Sequence, residues 1–197
     1  MEGNEMNFED TIKFHGHACP GLAIGYRVAT FALNELGLRS RDEELVAIVE
    51  NNSCAVDAIQ LICGCTFGKG NLIFRDYGKQ VYNVIRRPDP EAIRIAVKWT
   101  APPEDPGTEA MWKRYAGGDR SAEVTAAVQD RKARKMQSVL ETDAAELFDV
   151  KRVLVEMPEP ARIYKSITCD SCAEKVMETR VRDINGRLLC IPCAENK

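Results

Sequence analysis

Apolar and polar positions change period several times along the chain, and each change marks an element. Between Pro20 and Gly37 the apolar residues Tyr26, Leu33 and Leu36 fall on one helical face. Proline suits a first helical position and glycine the position just past the end, so a helix is predicted over 20–36. Its N-cap then falls on Cys19, where unpaired backbone N–H groups and the helix dipole favour a thiolate. LVAIVE, residues 45–50, is an unbroken apolar run of strand length, and 55–63 fits a second, shorter helix preceded by Cys54. Beyond the glycine-rich GCTFGKGN come three extended stretches, NLIFRDY, QVYNVIRR and EAIRIAVKW, separated by Gly78 and Pro88. In the last of them Ile93, Ile95 and Val97 alternate with Arg94, Ala96 and Lys98, the period of a strand with one face in a core.

This succession predicts an antiparallel meander, and hence an α+β class with a mixed helix and largely antiparallel sheet core, not a doubly wound fold. APPEDPG, 101–107, reads as a loop, and 121–141 as a helix with Val124, Val128, Val139 and Leu140 apolar. VKRVLVEM, 150–157, reads as a last strand, and PEPAR, 158–162, as a linker. A core domain over 1–157 and a small C-terminal domain over 158–197 follow. The 197 residues, 45% of them hydrophobic, suffice for such a core with an appendage.

Charge changes this picture little. With 27 basic and 30 acidic residues the formal net charge is -3, which gives no sign of nucleic-acid binding. The basic run RKARK, 131–135, lies close to Asp130 and Glu141 and reads as a solvated helix face. No apolar run approaches the roughly 20 residues that span a membrane, and MEGNEMNFED lacks the basic and apolar regions of a secretory leader. The expectation is a cytoplasmic protein without membrane association. In a reducing compartment its eight cysteines point to metal binding or thiol chemistry, not to a disulfide framework.

Four of these cysteines form two pairs, Cys169-x2-Cys172 and Cys190-x2-Cys193, separated by 17 residues. Each pair presents two thiolates on one side of a turn, and two such turns complete the tetrahedral sulfur set that zinc prefers. Asn185-Gly186 between them is a type I′ hairpin signal that brings the pairs together. A zinc-ribbon or treble-clef-like domain is predicted, its four protein ligands leaving no open position, so that this zinc is structural. Arg180, Arg182 and Arg187 would support a regulator that binds nucleic acid or a partner protein, whereas Glu174 and Glu178 count against it.

The second donor cluster is FHGHACPG, 14–21, which holds both histidines of the chain. In an extended segment His15 and His17 point to one face, with Cys19 two residues on. Imidazole and thiolate favour zinc, copper, nickel or iron over hard, oxygen-loving ions. Cys54 or Cys65 could complete the set from the second helix region, while Cys63, on the apolar side of AIQLIC, reads as a small buried hydrophobe. GCTFGKG is not a phosphate-binding loop: Gly64 and Gly68 enclose three residues instead of the required four, and Gly70 follows Lys69 where Ser or Thr is needed. Its glycines still let the backbone approach a metal or an anionic ligand, with Lys69 supplying positive charge. A thiol redox protein with Cys19 as nucleophile is a further alternative, although Cys63-x-Cys65 is not the Cys-x-x-Cys of thioredoxin-like proteins.

FHGHACPGLAIGYR together with CAVDAIQLICGCTFGKGNL resembles the FmdE family, named for a subunit of formylmethanofuran dehydrogenase. The resemblance covers about the first 100 residues closely and the stretch to Val155 more loosely, and many members similarly end in a four-cysteine zinc finger. It implies an α+β core, a homodimer, and a metal or ligand site at His15, His17, Cys19, Cys54, Asp57, Gln60, Cys65 and Lys69. His17, Cys19, Cys54 and Cys65 would hold a second transition metal, zinc first among the candidates. His15 would ligate or orient, Asp57 would fix an imidazole tautomer, and Asp57, Gln60 and Lys69 would face a bound cofactor. The family name implies association with the subunits of a molybdenum or tungsten enzyme that reduces carbon dioxide onto methanofuran. Nothing in the chain resembles a molybdopterin-binding subunit, so an accessory or metal-handling role is expected.

Overall fold

The computed structural model describes residues 6–37 and 39–195, which fall into two compact units divided between Pro160 and Ala161. In the first unit the elements run α1 (Phe8–His15), α2 (Pro20–Leu36), β1 (Leu45–Val49), α3 (Ala55–Cys63), β2 (Leu72–Phe74), β3 (Val81–Arg86) and β4 (Glu91–Val97). They continue with α4 (Pro106–Ala116), α5 (Ala122–Glu141), α6 (Ala144–Leu147) and β5 (Phe148–Leu154). No described helix is long and apolar enough to cross a membrane.

The five strands form one sheet in the order β2-β1-β3-β4-β5. Three of its four pairings are antiparallel, so the α+β class holds. The first pairing departs from the predicted meander: β2 runs parallel to β1, Ala47 opposite Leu72, instead of turning back onto β3. Parallel neighbours need a crossover, and α3 supplies it. The sheet's alternating side chains then divide the core. Leu45, Ala47, Val49, Tyr82, Val84, Ile93 and Ile95 pack with Ala23, Val28 and Ala29 of α2, Ile59 and Ile62 of α3, and Val139 of α5. Val46, Ile48, Ile85 and Ala92 form a smaller cluster with Ile73, Val153, Val155 and Met157. With clusters on both faces, every residue of β1 is buried, which is why LVAIV shows no alternation.

The helix at 20–36 forms with Pro20 in its first turn and Cys19 as N-cap, but its buried line is Leu22, Ala23, Gly25, Val28, Ala29 and Ala32. Tyr26, Leu33 and Leu36 are partly buried at its flanks. Small residues win that line because α3 approaches closely. A Cβ on Gly25 would stand 2.1 Å from the Ala55 carbonyl oxygen, and one on Gly21 3.3 Å from the Cys54 Cβ. The two helices therefore touch backbone to backbone near their N-terminal ends.

Residues 106–116, the first two of which the sequence places in a loop, form α4, capped by Asp105, whose carboxylate accepts from the Thr108 N–H at 2.9 Å. RKARK lies on α5, where Arg131 and Lys135 meet Glu104 at 2.8 and 2.7 Å and Arg134 meets Asp130 at 2.6 Å. Acidic partners thus occupy three of its four cations.

In the second unit β6 (Ser166–Thr168) pairs with β7 (Lys175–Met177), and after a 3-10 turn β8 (Val181–Ile184) pairs with β9 (Arg187–Cys190), followed by α7 (Ile191–Glu195). Asn185 and Gly186, at φ 54° and 79°, make the β8–β9 turn. The buried cluster here is Cys169, Leu189 and Cys190.

Candidate metal centres

The tail centre grows from two turns. Cys169 and Cys172 lie between β6 and β7, Cys190 ends β9, and Cys193 sits in α7. One ligand atom from each of the four lies within 4.8 Å of all the others. Cys172 Sγ and Cys190 Sγ are 3.9 Å apart, close to the roughly 3.8 Å edge of a tetrahedron with zinc–sulfur bonds of about 2.3 Å. Backbone N–H groups of Cys172, Cys190 and Ser171 point at the Cys169 sulfur and pull its thiol down to about 6. For Cys172 a backbone N–H near Glu174 pulls downward too, but desolvation and the sulfurs of Cys169, Cys193 and Cys190 outweigh it and lift the thiol to about 12. One thiolate is thus favoured, and Cys172 and Cys190 resist ionising beside it. A dication removes that repulsion, and the donor set fits zinc.

The core centre starts at the end of α1. His15 is the last helical residue, and Gly16, at φ 95°, reverses the chain while its N–H donates to Ile12 O at 2.7 Å. A Cβ on Gly16 would meet nothing within 4 Å, so it is the left-handed backbone, not space, that asks for glycine. His17 follows, and Cys19 opens α2, its sulfur accepting the Leu22 N–H at 3.4 Å. One ligand atom from each of His15, His17 and Cys19 lies within 4.8 Å of the others. The imidazoles do not line up along an extended strand. A helix end, a left-handed glycine and a cap bring them together, with ring centroids 4.5 Å apart.

Asp57, on α3, orients the first of these donors. Its Oδ2 lies 2.6 Å from His15 Nδ1, and a carboxylate can only accept, so Nδ1 carries the proton. The other ring nitrogen, Nε2, faces Cys19 Sγ at 3.9 Å. Gln60, one turn further along α3, donates to Asp57 Oδ1 at 3.3 Å. His15 is largely buried and His17 exposed, so the centre opens to solvent on one side.

The remaining expected site residues lie outside the three-donor group, at different distances. Cys54 sits at the N-terminal end of α3 beside Cys19, outside the three-donor group and without a side-chain capping bond. Burial first, and then the neighbouring Cys19, push its thiol up. Cys65 does not join the centre: it lies past the other end of α3, about 13 Å of helix away. It is fully buried there, and that burial raises its thiol to about 12. Lys69 lies in the glycine loop. Its ammonium donates to Asp42 O at 2.8 Å and Arg41 O at 3.4 Å, and so pins the glycine loop to the chain before β1. Asn71 completes that anchor, its amide donating to Asp42 O and Leu45 O while its oxygen accepts the Thr66 N–H. Cys63 is buried, its thiol donating to Ala29 O.

Sequence reasoning missed α1, whose start is nevertheless encoded: Asn7 and Asp10 form a reciprocal capping box. It also missed the role of Gly21 and Gly25, four residues apart on α2, in bringing Cys54 against the start of that helix.

A mostly antiparallel α+β core with a His-x-His-x-Cys donor group, followed by a four-cysteine tail, defines a metal-binding protein with a zinc-finger domain. The chain belongs to the FmdE family, described as "FmdE, Molybdenum formylmethanofuran dehydrogenase operon", which matches residues 14–149. Residues 162–197 match the "Prokaryotic dksA/traR C4-type zinc finger". A relative in Archaeoglobus fulgidus, named "Probable S-adenosyl-L-methionine-binding protein", is 33% identical over 193 residues, covering 92% of this chain and 50% of its own length. The chain thus spans half the length of that relative. A crystal structure of a tungsten formylmethanofuran dehydrogenase FmdE-like protein from Syntrophus aciditrophicus shares the fold. Its TM-score is 0.63 at 21% identity, covering 96% of this chain and 93% of the other.

Proposed function

We propose that this chain is a cytoplasmic metal-handling accessory protein, loading one transition ion at His15, His17 and Cys19 and holding a structural zinc in its tail. The observation that carries the reading is the meeting of three nitrogen and sulfur donors within 4.8 Å, one of them with its tautomer set by Asp57. Three protein ligands leave a fourth position for water or an incoming donor, unlike the closed sulfur set of the tail. The exposed His17 suits exchange of the ion with a partner. Zinc is the first candidate, since both donor types suit it without a redox demand. Of partners, the family description favours subunits of formylmethanofuran dehydrogenase, and a homodimer accompanies that proposal.

Metal analysis of the purified full chain tests the reading. We expect one ion at each centre, and loss of the core ion alone in Cys19→Ser. Unchanged metal content in that variant would overturn the assignment. The Archaeoglobus relative's name brings a second ligand into question, and calorimetric titration with S-adenosyl-L-methionine tests it directly: heat that saturates would extend the role to a sulfonium nucleoside.

A further inference from the structure

Among the described residues, Cys54 is the one thiol beside the core centre that the donor group leaves out. It stands at the start of α3, and Cys19 caps the start of α2. These two starts are pressed together: a Cβ on Gly21, in the first turn of α2, would come within 3.3 Å of the Cys54 Cβ and 3.9 Å of its sulfur. The Cys19 sulfur leans over that same turn, toward the Leu22 N–H. Cys54 makes no capping hydrogen bond that would hold its sulfur elsewhere. Both thiols are partly exposed, whereas Cys63 and Cys65 are buried, so a small oxidant reaches the first two and not the others.

We propose that Cys54 is the redox partner of Cys19: oxidation joins the two as a disulfide and takes the only sulfur donor away from the core centre. This rests on the metal reading above. With hydrogen peroxide as the oxidant, the Cys19 thiolate attacks the O–O bond, giving a sulfenic acid and hydroxide. The Cys54 thiolate then attacks that sulfur, the S–S bond forms, and a second hydroxide leaves. The two hydroxides take up the two protons of the original thiols, so two thiols and one peroxide give one disulfide and two waters. A disulfide sulfur carries no negative charge for the ion, and His15 and His17 alone hold it weakly. The centre therefore yields its ion when oxidised and recovers it when a thiol reductant cleaves the bond.

The test uses the full chain, loaded with zinc under reductant, freed of the reductant and treated with dilute hydrogen peroxide. Zinc release is followed with a chromogenic chelator and linked peptides are mapped by mass spectrometry. Cys19→Ser, which keeps only the tail ion, serves as the blank for release from the four-cysteine site. We expect the core ion to be released, a Cys19–Cys54 linked peptide to appear, and dithiothreitol to reverse both. In Cys54→Ser, and in Cys54→Ala with folding checked by circular dichroism, release of the core ion should be lost. Release from these variants at the rate of the unsubstituted chain, or links that bypass Cys54, would overturn the proposal. Should the reduced chain take up no core ion, the metal reading fails by itself. The peptide map of that metal-free protein still decides whether the two thiols pair.

Discussion

At the scale of single residues, the core centre depends as much on what lies behind the donors as on the donors. Asp57 accepts from His15 Nδ1 and is itself held by Gln60, so a carboxylate, an imidazole and the centre stand in line. A carboxylate in that position raises ligand basicity as well as fixing the ring. Asp57→Asn keeps an acceptor but removes the charge, and should weaken core zinc about 10- to 100-fold, as read by competition with a chelating dye. Asp57→Ala should cost at least as much, because it frees the ring as well. The donors themselves were legible in the sequence, since five residues from His15 to Cys19 hold three of them. The distance of Cys65 from the centre was also implicit there, since the helix predicted over 55–63 stands between it and Cys54 and spans about 13 Å.

At the scale of elements, the centre exists because α2 and α3 meet without side chains between them. Gly25→Ala gains about 1 kcal/mol of helix propensity but drives a Cβ to 2.1 Å from the Ala55 carbonyl oxygen, a backbone atom that cannot rotate away. Overpacking of this kind costs about 1–3 kcal/mol or more, so the melting temperature should fall. Gly21→Ala faces a contact of 3.3 Å to the Cys54 side chain and should change it far less. Calorimetry of both variants checks the contrast. Among the elements legible in the sequence, β1, α3, β3, β4, β5 and α5 show it in an apolar period or run, whereas α2 shows it in Pro20 and Gly37 at its ends, its buried line being one of small residues. α1 and α4 escaped because they bury little: Thr11 is the sole buried residue of α1, and α4 has none. The parallel seat of β2 escaped for another reason, as pairing with β1 depends on where the intervening helix lands and not on the strand itself.

At the scale of the whole molecule, the two candidate donor sets lie in separate units, His15, His17 and Cys19 in the first and the four cysteines in the second. The first unit has a large apolar core and should keep its fold without metal. The second buries little besides Cys169, Leu189 and Cys190, so its folding free energy comes mainly from the ion. A strong chelator should therefore unfold residues 161–197 while amide exchange in β1, β3 and β4 stays protected. Hydrogen exchange read by mass spectrometry distinguishes this from unfolding of both. The tail's donor set was fully legible because spacing alone brings paired thiols together, whereas the core centre needed three elements in place.

One long-range clasp extends that point. The guanidinium of Arg27, on the helix that Cys19 opens, donates to Val139 O, Leu140 O and Thr142 O at 2.8, 2.6 and 2.7 Å. Those carbonyls are more than a hundred positions downstream of it. During synthesis, the candidate donors His15, His17 and Cys19 emerge more than a hundred residues ahead of the carbonyls that brace their helix. The nascent chain thus displays bare histidines and thiols well before it owns a finished cradle for them.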